Sequence, residues 1–161
     1  MGSDSDLEVM KQTVAVLDSL GVPREVRITS AHRTPEATHA YVKDAQERGC
    51  AVFIAAAGLA AHLAGTVAGL TTRPVIGVPM AGGSLGGMDA LLSTVQMPAG
   101  IPVACVAIGS AGAKNAGYLA AQIIAQSDQG IAAALVDDRA EKARQVQEKN
   151  TSLNDLNAKS H

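Results

Sequence analysis

His32 and Arg33 stand side by side in the stretch SAHRTPE, residues 30–36. An imidazole titrates near neutral pH and is the side chain best suited to take up and release a proton. A planar guanidinium forms paired hydrogen bonds with a phosphate. A turn that only begins a helix accounts for Thr34 and Pro35 but requires neither the histidine nor the arginine. The stretch is a candidate site for anion binding and proton transfer; the alternative is a capping turn with both side chains solvated.

The N-terminal stretch GSDSD, residues 2–6, is a second candidate. Small residues with free backbone N–H groups at the start of a helix form a cradle for a phosphate. Because two carboxylates beside a phosphate would repel it, Asp6 is better explained as an acceptor for sugar hydroxyls. A plain Asp/Ser helix cap is the alternative, and this stretch alone does not decide between them.

The third candidate is AAAGLAAHLAG, residues 55–65, in which one histidine, His62, stands among small apolar residues. Such a loop would form a dry pocket lined by backbone, suited to a small, poorly solvated species such as CO₂. The alternative is a tightly packed turn with His62 in the core. His32 and His62 could also ligate a metal, but no third Cys, Asp or Glu stands at a ligand spacing, so no metal site is predicted.

Secondary-structure patterns place these stretches at the ends of strands. Apolar periodicity from Leu7 predicts a first helix, Thr34 and Pro35 begin a second as N-cap and first helical residue, and further helices alternate with strands. Four short apolar or β-branched runs predict strands at residues 25–29, 50–58, 74–79 and 102–109. The alternation predicts an α/β fold with a parallel sheet, in which ligands bind beyond the carboxyl ends of the strands.

Domain organisation follows from the same patterns. We predict one domain, with the catalytic part over residues 1–126 and a C-terminal helical extension over residues 127–161 whose tail frays from Asn150. A loop with four glycines, residues 80–88, is expected to be mobile. GSDSD resembles the turn at the end of a strand although no strand precedes it, so we expect the sheet to lack a central strand here.

Composition excludes several classes of function. The chain has 161 residues with a net charge of −2 and no basic run, which argues against a nucleic-acid partner. No apolar segment reaches the roughly 18 residues of a membrane span, and the acidic N-terminus is not a signal peptide. Cys50 and Cys105 are isolated, which predicts reduced cysteines buried in the core of a cytoplasmic protein.

Six motifs in order over residues 1–126 resemble the family of N5-carboxyaminoimidazole ribonucleotide mutases of bacterial purine biosynthesis. They are MGSDSD, SAHRTP, AAHLAG, PVIGVP, LLSTVQMPAGIPVACVAIGSAGAKNA and LAAQII. The resemblance implies a flavodoxin-like three-layer α/β/α sandwich, a homo-octamer and a ribonucleotide substrate. It also implies a reaction without a cofactor, in which the carboxylate on the exocyclic nitrogen moves to the neighbouring ring carbon.

The resemblance assigns roles position by position. His32 matches the catalytic histidine, Ser3 and Arg33 would bind the phosphate with Ser5 nearby, and Asp6 would bind the ribose. The substrate carboxylate would be bound by Ser30, Gly58, Ala60, Ala61, His62 and Leu63. Two positions depart from the family, Leu59 in place of Gly and Ala64 in place of Pro, and both bear on the pocket loop.

Two alternative functions remain open at this point. A related branch of the family fixes CO₂ directly onto aminoimidazole ribonucleotide, but it tends to carry Lys after the histidine, where this chain has Arg33. A non-catalytic flavodoxin-like module that binds a nucleotide or flavin is the other alternative. Its weakness is an aromatic content of 2%, which leaves little to stack on a flavin.

Overall fold

A computed structural model of the chain describes residues 1–158, without the side chains of residues 152 and 154–158. The helices are α1 (Leu7–Ser19), α2 (Pro35–Glu47), α3 (Leu63–Leu70), α4 (Met88–Val95), α5 (Gly109–Ile124) and α6 (Gln129–Ala158). The strands are β1 (Phe53–Ala57), β2 (Val75–Pro79) and β3 (Ala104–Cys105). They form a parallel sheet in the order β1-β2-β3, so three of the four predicted strands are confirmed within shorter bounds.

The sheet lies between two layers of helices, and its β3 edge is partly exposed. Alternate residues of β1 face opposite sides, because side chains in a strand alternate with a period of two. Ala56 packs in the cluster that contains residues of α1 and α5, whereas Phe53 and Ala55 pack with residues of α2 and α3. All five residues of β2 are buried, as expected for a strand covered on both faces. The predicted three-layer α/β/α architecture is confirmed.

Small residues let α1 and α5 pack closely. A Cβ atom added at Gly117 of α5 would lie 2.9 Å from Cγ1 of Val16 in α1, so a larger residue does not fit there. Thr13 of α1 donates a hydrogen bond of 2.7 Å to the backbone oxygen of Ala113, which is fully buried. Close backbone approach of this kind accounts for a core built with very few aromatic residues.

Residues 25–29 were predicted to be a strand, and this prediction is wrong. The segment has only two backbone bonds to Met1, from the Met1 ammonium to the oxygen of Arg27 (2.8 Å) and from Thr29 N to the Met1 oxygen (2.9 Å). Gly2 N donates to the oxygen of Ala56 in β1 (2.9 Å). The remaining gap between this segment and β1 is part of a cavity of about 570 Å³. Without a neighbour along its length, the segment has no ladder to join.

The C-terminal helix α6 packs on α5 at its start, where Ile131 is buried in the core, and is exposed over most of its later residues. It continues through Asn150, where fraying was expected, to Ala158; the last three residues, 159–161, lie outside the described part of the chain. The division at residue 126 remains a prediction. Among residues 1–158, no helix is both long and apolar enough to cross a membrane.

Candidate active site

Four loops meet beyond the carboxyl ends of the strands. Residues 58–62 follow β1 and residues 80–87 follow β2, as the parallel topology requires. The other two loops are residues 2–6 and residues 30–34, which lead into α1 and α2. Direct contacts join each loop to a neighbour, so the structure brings the predicted stretches together at one edge of the sheet.

His32 and His62 form the contact between the second and third loops. Nε2 of His32 lies 2.8 Å from Nδ1 of His62, and the two rings meet edge to face with centroids 4.9 Å apart. A hydrogen bond of this length needs one proton between the two nitrogens, so one ring donates and the other accepts. The two side chains are exposed, which leaves the pair accessible to a substrate. The geometry excludes the alternative of His62 as a core residue.

Hydroxyl groups hold the loop that carries His32. The Oγ of Ser30 accepts a hydrogen bond from the backbone N–H of Arg33 (3.1 Å). Thr34 occupies the N-cap position of α2 as predicted, but its hydroxyl makes no capping bond. Thr34 Oγ1 instead accepts from Ser30 N (2.9 Å), and the buried Thr38 donates to the oxygen of Thr34 (3.0 Å). Sequence reasoning missed Thr38, whose only signal is its position one turn after Thr34.

Arg33 joins the second loop to the first. Its Nη2 donates to the backbone oxygen of Gly2 at 3.2 Å, and the side chain is exposed. One bond occupies only part of a guanidinium that carries five N–H donors. The remaining donors can bind an anion placed beside residues 2–6.

The first loop is a single turn of 3-10 helix, Asp4–Asp6, that leads into α1. The Oγ of Ser3 accepts from Ser5 N (3.3 Å), and a carboxylate oxygen of Asp4 accepts from the same N–H (3.1 Å). These two bonds form the Asp/Ser helix cap that the sequence offered as the alternative to a phosphate cradle. Ser3 directly follows Gly2, whose backbone oxygen accepts the bond from Arg33, so the cap and the phosphate cradle are compatible.

Asp6 differs from the other polar residues of this loop because it is buried, with 8% of its surface exposed. Burial raises the pKa of its carboxyl group above the ordinary value, and this outweighs the opposing effects of the Ser5 hydroxyl, 3.3 Å away, and of the Met1 ammonium. A buried carboxylate with a single side-chain hydrogen bond retains free acceptor capacity. This fits an acceptor for substrate hydroxyls.

We expect Asp6→Asn to increase stability at neutral pH while weakening substrate binding. A folded-state pKa above the unfolded value means that the folded protein binds the proton more tightly, so the free energy of unfolding falls as pH rises from about 4 through the raised pKa. Urea unfolding between pH 3 and pH 8 measures this slope. Asp6→Asn should remove the contribution of this carboxyl group to the slope, whereas Asp4→Asn, at an exposed position, should leave the slope unchanged. An unchanged slope in Asp6→Asn contradicts the assignment.

The third loop, residues 58–62, is lined by backbone and small side chains. Leu59 adopts a left-handed conformation with φ of 56° and is exposed, Ala60 is exposed, and Ala61 is buried. Leu63 begins α3 and its side chain packs in the core, so only its backbone can reach a ligand. The first N–H groups of a helix lack intrahelical acceptors, and the start of α3 is therefore suited to a carboxylate.

Two further contacts connect this loop to the rest of the site. The side chain of Leu59 lies against Gly83 in the glycine-rich loop, close enough that a Cβ at Gly83 would collide with it. The hydroxyl of Ser93 in α4 accepts a hydrogen bond of 3.1 Å from the N–H of Ala61. Ser93 was not identified from the sequence, because its partner lies 32 residues away and is a backbone group.

A metal centre was not predicted, and that absence remains a prediction. Among residues 1–158, no group of three or more His, Cys, Asp or Glu side chains is arranged to hold a metal ion. The side chains and backbone groups of the four loops can transfer protons through imidazole and bind anions through the guanidinium and backbone N–H groups.

Comparison with known proteins connects the site to a family. A family model described as AIR carboxylase matches residues 1–145. The N5-carboxyaminoimidazole ribonucleotide mutase of Bacillus subtilis is 54% identical over 146 residues, which cover 91% of this chain and 90% of the relative. The protein of the same name from Thermotoga maritima is 49% identical over 161 residues, covering 100% of this chain and 93% of the relative.

Two other comparisons concern the fold and the range of activities. The crystal structure of Treponema denticola PurE superposes with a TM-score of 0.84 at 30% identity, over 95% of this chain and 94% of that one. The chloroplastic phosphoribosylaminoimidazole carboxylase of Vigna aconitifolia is 56% identical over 124 residues, 77% of this chain but only 22% of that longer protein.

Proposed function

The chain belongs to the AIR carboxylase family, and we propose that it is an N5-carboxyaminoimidazole ribonucleotide mutase of purine biosynthesis, an isomerase. The observation that carries the proposal is the contact of 2.8 Å between His32 and His62. It joins the loop that contains Arg33 to the small-residue loop suited to a carboxylate. Relatives with this name, about half identical over nearly the whole chain, support the same assignment.

The residues account for both ends of the substrate. Arg33 and the N–H groups around Ser3 and Ser5 bind the phosphate, because guanidinium and backbone donors both favour an anion. The buried carboxylate of Asp6 accepts hydrogen bonds from the ribose. With the phosphate bound beside Arg33, His32 lies one residue away and can reach the base.

The carboxyl transfer needs two proton transfers. The exocyclic nitrogen gains a proton as the N–C bond breaks, its electron pair stays on nitrogen, and CO₂ leaves. The ring carbon then attacks CO₂ and loses its own proton. Protonated His32 supplies the first proton and recovers the second, so it ends in its starting state. Residues 58–62 and the start of α3 hold the CO₂ and the product carboxylate away from water.

A second candidate function is direct carboxylation of aminoimidazole ribonucleotide. It is favoured by the description of the matching family model and by the name of the Vigna aconitifolia relative. Arg33 after the histidine and the AAHL sequence at residues 60–63 favour the mutase instead. Ultraviolet assays with each starting compound separate the two. A mutase converts the N-carboxylated ribonucleotide without added bicarbonate, whereas a carboxylase requires aminoimidazole ribonucleotide and bicarbonate.

We also propose that the protein assembles as a homo-octamer in the cytoplasm. Met88, Leu92 and Val95 form an apolar stripe on α4 and are each about half exposed, at 51%, 51% and 46%. An exposed stripe of this kind is typical of a surface that is covered by another subunit. Cys50 and Cys105 are free and half-buried rather than core residues, and free thiols fit a reducing compartment.

We expect sedimentation velocity to give an octamer at micromolar concentration. Leu92→Lys places a charge on the apolar stripe and should shift the population toward smaller species, because burying an unpaired charge in an interface is unfavourable. Val146→Lys is the matched control, since Val146 is also exposed but lies on α6, away from this stripe. A monomeric wild-type protein contradicts the octamer, and a Leu92→Lys protein that sediments like the wild type contradicts the use of this stripe.

A further inference from the structure

Ser93 connects α4 to the loop of residues 58–62. Its hydroxyl donates to the oxygen of Asp89 in the same helix (2.7 Å) and accepts from the N–H of Ala61 (3.1 Å). The backbone oxygen of Leu59 lies 3.5 Å from the same hydroxyl. One side chain thus contacts the loop at two positions, while its own position is fixed by the helix.

The Ala61 N–H depends on this contact. Ala61 is 1% exposed, so its N–H is shielded from water and needs a partner within the protein. Within residues 1–158, the Ser93 hydroxyl is the acceptor bonded to this N–H, and no backbone oxygen takes its place. Leu59 also holds a left-handed conformation that L-residues seldom adopt unless the surroundings impose it. Ser93 supplies part of that constraint.

The position of Ala61 affects the chemistry through the next residue. His62 follows Ala61 directly and forms the 2.8 Å contact with His32. A shift of the backbone at Ala61 therefore moves both the wall of the small-residue loop and the partner of the proton carrier. Reaction geometry is sensitive to displacements of about 1 Å.

We propose that Ser93 is a positioning residue that keeps the loop of residues 58–62 closed around the CO₂ formed during carboxyl transfer. The proposal rests on the proposed mutase function. After the N–C bond breaks, CO₂ is a small neutral molecule that makes no strong contacts, so its retention depends on the walls of the pocket. If CO₂ leaves before the ring carbon attacks it, the products are aminoimidazole ribonucleotide and CO₂, with the nitrogen already protonated.

The test compares the products formed by three variants and the wild type from the N-carboxylated substrate. Ser93→Ala removes the hydroxyl, and Ser93→Thr retains one. Thr94→Val is the matched control, because Thr94 is on the same helix and donates to the oxygen of Ala90 at 2.7 Å, but it is buried against Gly77 of β2. The measured quantity is the fraction of turnovers that release aminoimidazole ribonucleotide, after subtraction of the enzyme-free rate.

Ser93→Ala should raise this fraction about tenfold with little change in KM, because the phosphate and ribose contacts remain in place. Ser93→Thr should largely restore the wild-type ratio, and Thr94→Val should keep it even if the protein becomes less stable. A wild-type ratio in Ser93→Ala, or equal leakage in Thr94→Val, overturns the proposal.

A second measurement does not depend on the reaction. The hydrogen-exchange rate of the Ala61 amide, followed by NMR on the unliganded protein, should rise by about tenfold or more in Ser93→Ala and not in Thr94→Val. Unchanged exchange overturns the positioning role whatever the substrate is. Wild-type protein that fails to convert the N-carboxylated substrate contradicts the proposed function instead, so the two failures are distinguishable.

Discussion

Replacing His32 with asparagine should lower turnover about 10²- to 10⁴-fold while substrate binding persists. Asparagine has a similar size and can form hydrogen bonds, but it cannot donate and recover a proton near neutral pH. General acid–base catalysis typically contributes a factor of this size. The phosphate and ribose contacts that we propose for Arg33 and Asp6 are not altered by the change. Turnover measured by ultraviolet absorbance, beside a calorimetric binding titration, separates the two effects.

Two matched variants sharpen this experiment. His62→Asn should reduce turnover less than His32→Asn, because the role we propose for His62 is to orient His32 and the loop of residues 58–62. His39→Asn should have no effect, since His39 is exposed on α2 outside the four loops. Near-normal turnover in His32→Asn, or a larger loss in His62→Asn, would contradict the assignment of His32 and make His62 the candidate proton carrier.

Arg33→Ala should weaken substrate binding about 10- to 100-fold with little loss of stability. Removing a charged hydrogen bond costs about 1.5–3 kcal/mol, which corresponds to that change in Kd. The guanidinium is exposed and, within residues 1–158, its hydrogen bond is to Gly2 at 3.2 Å, so folding depends little on it. Titration with substrate and thermal unfolding measure the two quantities.

Two further arginine variants provide the controls. Arg33→Lys keeps the charge but loses the planar fork, so its affinity should be intermediate. Arg24→Ala removes another exposed arginine, paired with Asp18 at 2.8 Å, and should leave affinity unchanged. Equal affinity of Arg33→Ala and wild type for a phosphate-bearing ligand is incompatible with the assigned phosphate site.

Local sequence patterns predicted the loops of the site, because neighbouring residues in the sequence determine where the bounding strands end and where α2 begins. The apolar runs of β1 and β2 predict buried parallel strands, and in such a sheet the residues that follow each strand share one edge. Pro35 likewise indicates where α2 begins. This rule for parallel strands places His62 at the site edge, whereas His32 follows residues 25–29, which are not a strand, so its contact with His62 is a finding of the structure.

The failures share a physical cause, which is dependence on distant partners. Residues 25–29 have the β-branched pattern of a strand, yet strand formation requires a paired neighbour and Met1 alone provides one. Ser93 holds Ala61 through a backbone N–H, so no side-chain pattern links the two positions. The burial of Asp6 is likewise a result of tertiary packing, and the acidic sequence around it does not indicate it.

Leu59 shows how the resemblance and the structure combine. The resemblance implies glycine at this position, and the backbone fits that expectation, since φ is 56° and glycine adopts this region without a steric penalty. In this chain the leucine side chain instead contacts Gly83 of the glycine-rich loop. Leucine at position 59 therefore adds a direct side-chain contact between the loop of residues 58–62 and the glycine-rich loop.

The central claim, that one carboxyl group moves within one bound molecule, is tested most directly by isotope transfer. The N-carboxylated ribonucleotide is labelled with carbon-13 at its carboxylate and converted in buffer containing unlabelled bicarbonate. The account predicts a 4-carboxylated product that retains the label, because the loop of residues 58–62 keeps CO₂ in the site. Product whose carboxyl group has the isotope content of the buffer, or formation of product only when aminoimidazole ribonucleotide and bicarbonate are supplied, would contradict it.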